Sequence, residues 1–308
     1  MKTAIIGTGA IGGYYGAMLA RAGREVHFLL RSDFATVQRD GLRIQSPRGD
    51  FHLPEVNAWQ DSRKMPPCDL ILVALKTTAL KQLQEILPPL LKPDSVVVFM
   101  QNGLQVEHHA RGLLPPERIL GALCFIYSER PAPGVIAHLA NGALSLAPAL
   151  ENSPAALKVA EDVAAFLQES GLKVRAEKSL RTERWKKLMW NVPFNGLSVV
   201  MDAPTDKLLE HVPTRNLIHD MMEEVRGLAE ACGHPVAAEI TEAMLTATEK
   251  MPSYRPSMKQ DADAGRPMET AEIYDQVLQA AADQGMTIPL IRSLTVQLDF
   301  IQQKLRRG

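Results

Sequence analysis

The chain has 308 residues, enough for two domains of ordinary size with a buried core in each, and its 46% hydrophobic and 22% charged composition is that of a folded globular protein. Thirty-four Lys and Arg stand against 35 Asp and Glu, a net charge of -1, so no overall field draws nucleic acid or an anionic membrane to it. Three scattered cysteines, Cys68, Cys124 and Cys232, with no C-x-x-C pair, exclude a disulfide framework and a zinc ribbon and point to the reducing cytoplasm.

The predicted elements begin with a short strand at Thr3–Ile6, followed by an amphipathic helix over Ala10–Ala22 that ends at Gly23 and a strand at Glu25–Leu30. The glycines at 7, 9, 12, 13 and 16 and the charge at Arg21 argue against a signal peptide in this region, and no apolar run elsewhere has the length of a membrane span. Further strands are predicted at Gly41–Gln45, Leu70–Leu75 and Ser95–Met100, the last two as continuous apolar runs suited to burial on both faces. Strand and helix thus alternate as in a doubly wound parallel α/β sheet, open and covered by helices. Val135–Leu139 and Ala143–Leu146 read as a hairpin or antiparallel edge strands, Ala155–Ser170 as a helix and Leu172–Arg175 as the last strand. Beyond Glu177 strand signals nearly vanish. Helices are expected at Leu180–Ser198, Thr214–Cys232, Ala237–Lys250, Met268–Gln284 and Ile288–Leu305, so the expected division is a nucleotide-binding domain over 1–176 and an all-α domain over 177–308.

Gly7-Thr8-Gly9-Ala10-Ile11-Gly12 is a G-x-G-x-x-G turn placed between the first strand and first helix. The first glycine permits the tight turn, the second lets backbone approach a pyrophosphate, and the third allows close helix–strand packing, with the helix N-terminus facing the anion. At the end of the second strand, where an NAD enzyme carries an acidic residue for the ribose 2′-OH, this chain has Leu30-Arg31-Ser32. Arg31 therefore points to the 2′-phosphate of NADP(H), with Ser32 as a further donor. Lys76 and Asn102 follow two other strand ends, facing the crevice where ligands of open α/β sheets bind.

A second constellation lies in the helical half. Lys187, Asn191 and Asn195 are spaced i, i+4, i+8 and form a polar stripe among Leu188, Trp190, Val192 and Phe194, with Pro193 expected to kink the helix between the asparagines. A lysine on a buried face needs partners or a function, and an ammonium in a cleft is a candidate proton donor. Among the eight histidines only His108 and His109 are close neighbours, so no metal site is expected.

Taken together, these segments resemble the ketopantoate reductases, which reduce 2-dehydropantoate to pantoate with NADPH on the route to pantothenate and coenzyme A. The resemblance spans essentially the whole chain and rests on the glycine turn, Arg31, Leu75-Lys76, Asn102-Gly103, Trp185-Lys186-Lys187-Leu188 through Asn195, Ser257-Met258-Lys259-Gln260-Asp261 and Gly265-Arg266-Pro267-Met268-Glu269. It implies a Rossmann-type N-terminal domain, a helical C-terminal domain and an active site in the cleft between them. It further implies Lys187 as the general acid, Asn191, Asn195 and Ser257 as substrate ligands, Glu269 as a residue that touches cofactor and organises the site, and Asn102 as one that meets both ligands. After Glu269 the chain departs from the family's usual run, and Glu272 is the alternative to it. Thr205 stands where some members carry another asparagine. The expected partner is a small 2-oxo acid, with a homodimer through the helical half also allowed. The competing functions are an NADP-dependent dehydrogenase of another 2-oxo or 3-hydroxy acid, and a non-catalytic NADP(H) sensor.

Overall fold

A computed structural model describes residues 1–305, which divide into two compact units, one of 1–101 and 105–180, the other of Asn102–Leu104 and 181 onward. The first unit contains β1 (Thr3–Ile6), α1 (Ala10–Arg21), β2 (Val26–Leu29), α2 (Phe34–Asp40), β3 (Leu42–Gln45), β4 (Phe51–Leu53), β5 (Asn57–Trp59) and β6 (Cys68–Val73). After it come the single turn α3 (Leu83–Ile86), β7 (Leu91–Phe99), β8 (Ile119–Ala132), β9 (Val135–Pro148), α4 (Pro154–Gln168) and β10 (Lys173–Ala176).

All ten strands form one open sheet of order β4-β3-β9-β8-β7-β6-β1-β2-β5, with β10 paired to β9. From β5 to β8 every pairing is parallel, as expected of a doubly wound sheet in which crossover helices cover both faces. Alternation along the strands divides the core accordingly. Ile5, Leu70, Leu72, Val96 and Val98 pack with Tyr14, Tyr15 and Leu19 of α1, while Ala4, Ile6, Ile71, Val73, Val97 and Phe99 pack on the opposite side with Leu80, Leu83 and Leu87. Helix α4 starts where its sequence directs, with the Ser153 hydroxyl accepting from the Ala156 amide at 3.2 Å and Pro154 in the first turn.

One expectation fails in an informative way. Val135–Leu139 and Ala143–Leu146 are not two arms of a hairpin but parts of one long strand, β9, whose antiparallel partner is the preceding β8. Asn141 and Gly142, at φ 67° and 106°, look like a turn in sequence. Here they form a bulge, because Phe125 opposes Ala143 while Ile126 opposes Asn141, leaving Gly142 unpaired.

The second unit is helical, comprising α5 (Leu180–Val200), α6 (Thr205–Glu210), α7 (Val212–Ala231), α8 (Glu239–Glu249), α9 (Ser257–Asp263), α10 (Gln276–Asp283) and α11 (Pro289–Leu305). Its core gathers Leu188, Met189, Val192 and Phe194 of α5 with Met221, Val225 and Leu228 of α7 and Ile291, Leu294 and Leu298 of α11. The Glu224 carboxylate of α7 takes the Leu290 and Ile291 amides at 3.1 Å each, placing a negative charge at the N-terminus of α11. The single helix expected over Met268–Gln284 begins instead with a π-helical turn, Ala271–Asp275, and only then continues as α10. Helix α5 runs through Pro193 unbroken. No helix among the described residues is long and apolar enough to cross a membrane.

Candidate active site

In the first unit the glycine turn joins β1 to α1. Gly7 adopts φ 94°, and a Cβ there would sit 2.7 Å from the Ala74 carbonyl carbon and the Leu75 nitrogen. A Cβ on Gly12 would lie 2.2 Å from the Gly7 carbonyl oxygen. Gly9 is different: its Cβ would meet nothing within 4 Å. The open space lies at the N-terminus of α1, where the N-cap residue Gly9 supplies no side-chain cap and no acidic residue occupies the first turn. These are the properties of a cradle for an anionic diphosphate, so the residues present fit the dinucleotide that the sequence motif implies.

Arg31 and Lys76 stand just beyond the ends of β2 and β6, the two neighbours of β1, and both are exposed. Two residues past Arg31, Asp33 is 4% exposed and is held by Arg130, by the Ser32 hydroxyl at 2.8 Å and by the Gly134 amide at 3.2 Å. Burial pushes this carboxyl up, but the three donors outweigh it and hold it below the usual carboxylate range. Asp33 is thus committed to fixing the strand-end loop. Gln101 does similar work at the next strand ends, its side-chain amide donating to the Val73 and Leu75 carbonyls at 3.0 and 3.1 Å.

In the second unit Lys187, Asn191 and Asn195 occupy one face of α5. Lys187 is half-buried, while Asn191 and Asn195 are 6% and 2% exposed. The neighbouring Lys186 is paired with Glu183 at 2.5 Å. Asn195 is notable because its carbonyl oxygen Oδ1 is buried without a hydrogen-bond partner among the described residues, as is the hydroxyl of Ser198 one turn on. An acceptor in that state costs free energy unless something outside the chain satisfies it.

Asn102 is half-buried and belongs to this helical unit. Its segment is fastened there by the Arg184 guanidinium, which donates to the Gly103 carbonyl at 2.5 Å, and by the Gln276 side chain, which accepts from the Leu104 amide at 2.6 Å. Gly103 packs so close to Glu272 that a Cβ would lie 2.7 Å from both the Cβ and the carbonyl oxygen of that glutamate.

Ser257 is the exposed first residue of α9, and Glu269 is half-buried just ahead of the π-helical turn. Much of the motif around them holds the fold. Met258 and Met268 are core residues, and Asp261 pairs with Arg266 at 2.9 Å across the Gly265 turn. Lys259, 4% exposed, pairs with Asp202 at 2.5 Å and with Asp263; burial alone would lower its pKa, but the two carboxylates raise it. Sequence reasoning missed Arg184, Gln101 and Gln276, whose roles depend on backbone groups distant in the chain. It assigned no role to Tyr274 either.

A glycine turn of this build after β1, a strand with parallel neighbours on both sides, joined in sequence to a helical unit with a polar stripe, defines a nicotinamide-dependent oxidoreductase of two-unit form. The profile described as "Ketopantoate reductase PanE/ApbA" matches residues 3–151, and that described as "Ketopantoate reductase PanE/ApbA C terminal" matches residues 179–302. The chain belongs to the ketopantoate reductase family, oxidoreductases that act on a CH–OH group. It is 43% identical over 310 residues to the 2-dehydropantoate 2-reductase of Nostoc sp., covering 100% of this chain and 97% of that one. Among solved structures, the 2-dehydropantoate 2-reductase of Geobacter metallireducens is similar with a TM-score of 0.92 and 36% identity, over 97% of this chain and 99% of that one. The 2-dehydropantoate 2-reductase of Methylococcus capsulatus is similar at 0.88 and 32%, over 100% and 99%.

Proposed function

We propose that the protein reduces 2-dehydropantoate to pantoate with NADPH, the step that feeds pantothenate and coenzyme A synthesis. The observation that carries the reading is the α5 stripe, a half-buried lysine followed by two buried asparagines, the second with an unsatisfied carbonyl oxygen. A fold that only bound the dinucleotide would have no need of it. The identity to relatives named for this reaction supports the same substrate.

In this reading residues 1–176 bind cofactor and 177–308 supply substrate groups. Gly7, Thr8, Gly9, Ala10, Ile11 and Gly12 hold the diphosphate, Arg31 pairs with the 2′-phosphate, and Lys76, Asn102 and Glu269 complete the cofactor contacts. When bound, NADPH supplies a hydride from C4 of its nicotinamide. The carbonyl oxygen of the 2-oxo acid gains negative charge as its carbon is reduced, and the Lys187 ammonium stabilises that charge and gives up a proton to the oxygen. The neutral amine is then reprotonated from solvent. Asn191 and Asn195 hold substrate oxygens, with the Asn195 acceptor taking a substrate hydroxyl; Ser257 donates to the carboxylate. Asn102 and Glu269 fix the substrate's remaining polar groups. The lysine supplies the positive charge at the developing oxyanion, so the proposal includes no metal. Cys68, Cys124 and Cys232 form no disulfide among the described residues, which supports a cytoplasmic setting.

The test is NADPH oxidation followed by absorbance with 2-dehydropantoate beside a panel of other branched 2-oxo acids. The proposal expects the highest kcat/KM with 2-dehydropantoate. A clear preference for another acid would overturn the substrate, and no turnover with any of them would overturn the reaction.

A further inference from the structure

An interior proline leaves a helix with a missing rung. Pro193 has no N–H for the Met189 carbonyl, and its ring crowds that carbonyl, so α5 is weakened between Asn191 and Asn195. Beside this place a side chain from another element bonds the helix backbone. The Tyr274 hydroxyl donates to the Val192 carbonyl at 2.9 Å, bonding the α5 backbone at the residue just before the proline. Gly196 makes the approach possible: a Cβ there would lie 2.6 Å from that oxygen and 2.5 Å from Cδ2 of Leu294. Tyr274 is 0% exposed, and its burial keeps the phenol protonated and able to donate.

The tyrosine is delivered by the π-helical turn Ala271–Asp275, whose extra residue re-aims the side chains that follow it. The same turn carries Glu272, against which Gly103 is packed, and it begins two residues after Glu269. One short element therefore touches α5 beside Pro193 and the segment bearing Asn102, and is continuous with Glu269.

We infer that Tyr274 is a positioning residue, its hydroxyl pinning α5 at Pro193 and so fixing Asn195 relative to Asn191 and Lys187. This rests on the proposed role of the stripe. Without the hydroxyl the helix keeps its apolar packing but loses the clamp beside the proline, and the carboxamide at 195 is no longer held in register with the groups one and two turns before it. Misplacement of this order degrades substrate orientation more than it degrades stability.

The experiment compares Tyr274→Phe, Asn195→Ala and the double variant, measuring kcat and KM for 2-dehydropantoate, the NADPH dissociation constant and thermal unfolding. Tyr274→Phe is expected to lower kcat/KM by roughly 10- to 100-fold, mainly through KM, with NADPH affinity unchanged and unfolding shifted by only a few degrees. The double variant should be no worse than Asn195→Ala, because both changes act through one group. A Tyr274→Phe enzyme with native KM, whatever its stability, overturns the inference while leaving the site reading intact if Asn195→Ala is impaired. Full additivity of the two changes also overturns it. If Asn195→Ala itself keeps native KM, the reading of the stripe fails and the inference falls with it.

Discussion

Gly9→Ala separates binding from folding at the diphosphate cradle. The backbone of Gly9 is at φ -85° and ψ -157°, which alanine adopts, and the new methyl would meet nothing within 4 Å. Alanine is a poorer N-cap than glycine by some tenths of a kcal/mol, while restricting the unfolded chain returns about 0.4–1 kcal/mol, so net stability should stay within about 1 kcal/mol of native. For a unit of this size that is a melting shift of about 2–4 °C at most. Affinity should respond far more. On the proposed reading the methyl would occupy the space through which a diphosphate oxygen reaches the amides of α1, and losing one charge-assisted hydrogen bond costs about 1.5–3 kcal/mol, or about 10- to 150-fold in Kd. Gly12→Ala is the contrasting control, since its Cβ would stand 2.2 Å from the Gly7 carbonyl oxygen and must force α1 away from β1. It should lose both stability and binding. Calorimetric titration with NADPH and thermal unfolding of the free protein decide the matter. Native affinity in Gly9→Ala, or a stability loss matching that of Gly12→Ala, would refute the reasoning.

At the strand end, Arg31→Asp should weaken NADPH by about 10- to 150-fold through loss of a charge-assisted pair while leaving NADH little changed, read as the ratio of kcat/KM for the two cofactors; an unchanged ratio would show that Arg31 does not meet the 2′-phosphate. Asp33→Asn should destabilise the first unit at neutral pH. The Asp33 carboxyl lies below its ordinary 3.8 in the folded chain, so its contribution is fully present above that value and is lost as pH falls through the lower folded pKa. The variant's stability should therefore decline less steeply on the acid side than the native protein's, and parallel acid limbs in urea unfolding would contradict the assignment.

Much of the first unit could be read in the chain because its signals are local. Thr3–Ile6 is a strand with the bounds its apolar run suggests, and the glycines at 7, 9 and 12 announce their spacing to the strand and helix around them. What could not be read depended on partners far away. The pair Asn141-Gly142 carries the sequence mark of a turn, and only the equally long β8 alongside makes it a bulge. The attachment of Asn102–Leu104 to the helical unit depends on Arg184 and Gln276, 81 and 172 residues from the groups they bond. Pro193 marked a weak point in α5, but the side chain that bonds the backbone beside it comes from a π-helical turn, and nothing in the run Ala271–Asp275 distinguishes that turn from an ordinary helix. The stripe at 187, 191 and 195 was visible as a spacing; the unsatisfied Asn195 oxygen was not, because satisfaction is a property of surroundings.

The central claim is that the Lys187 ammonium gives the proton that completes carbonyl reduction. Its most direct test is single-turnover oxidation of bound NADPH by 2-dehydropantoate in Lys187→Ala, with cofactor affinity measured on the same sample. The account predicts a fall of roughly 10²–10⁴ in the rate with NADPH binding nearly intact. Turnover near the native rate would contradict it.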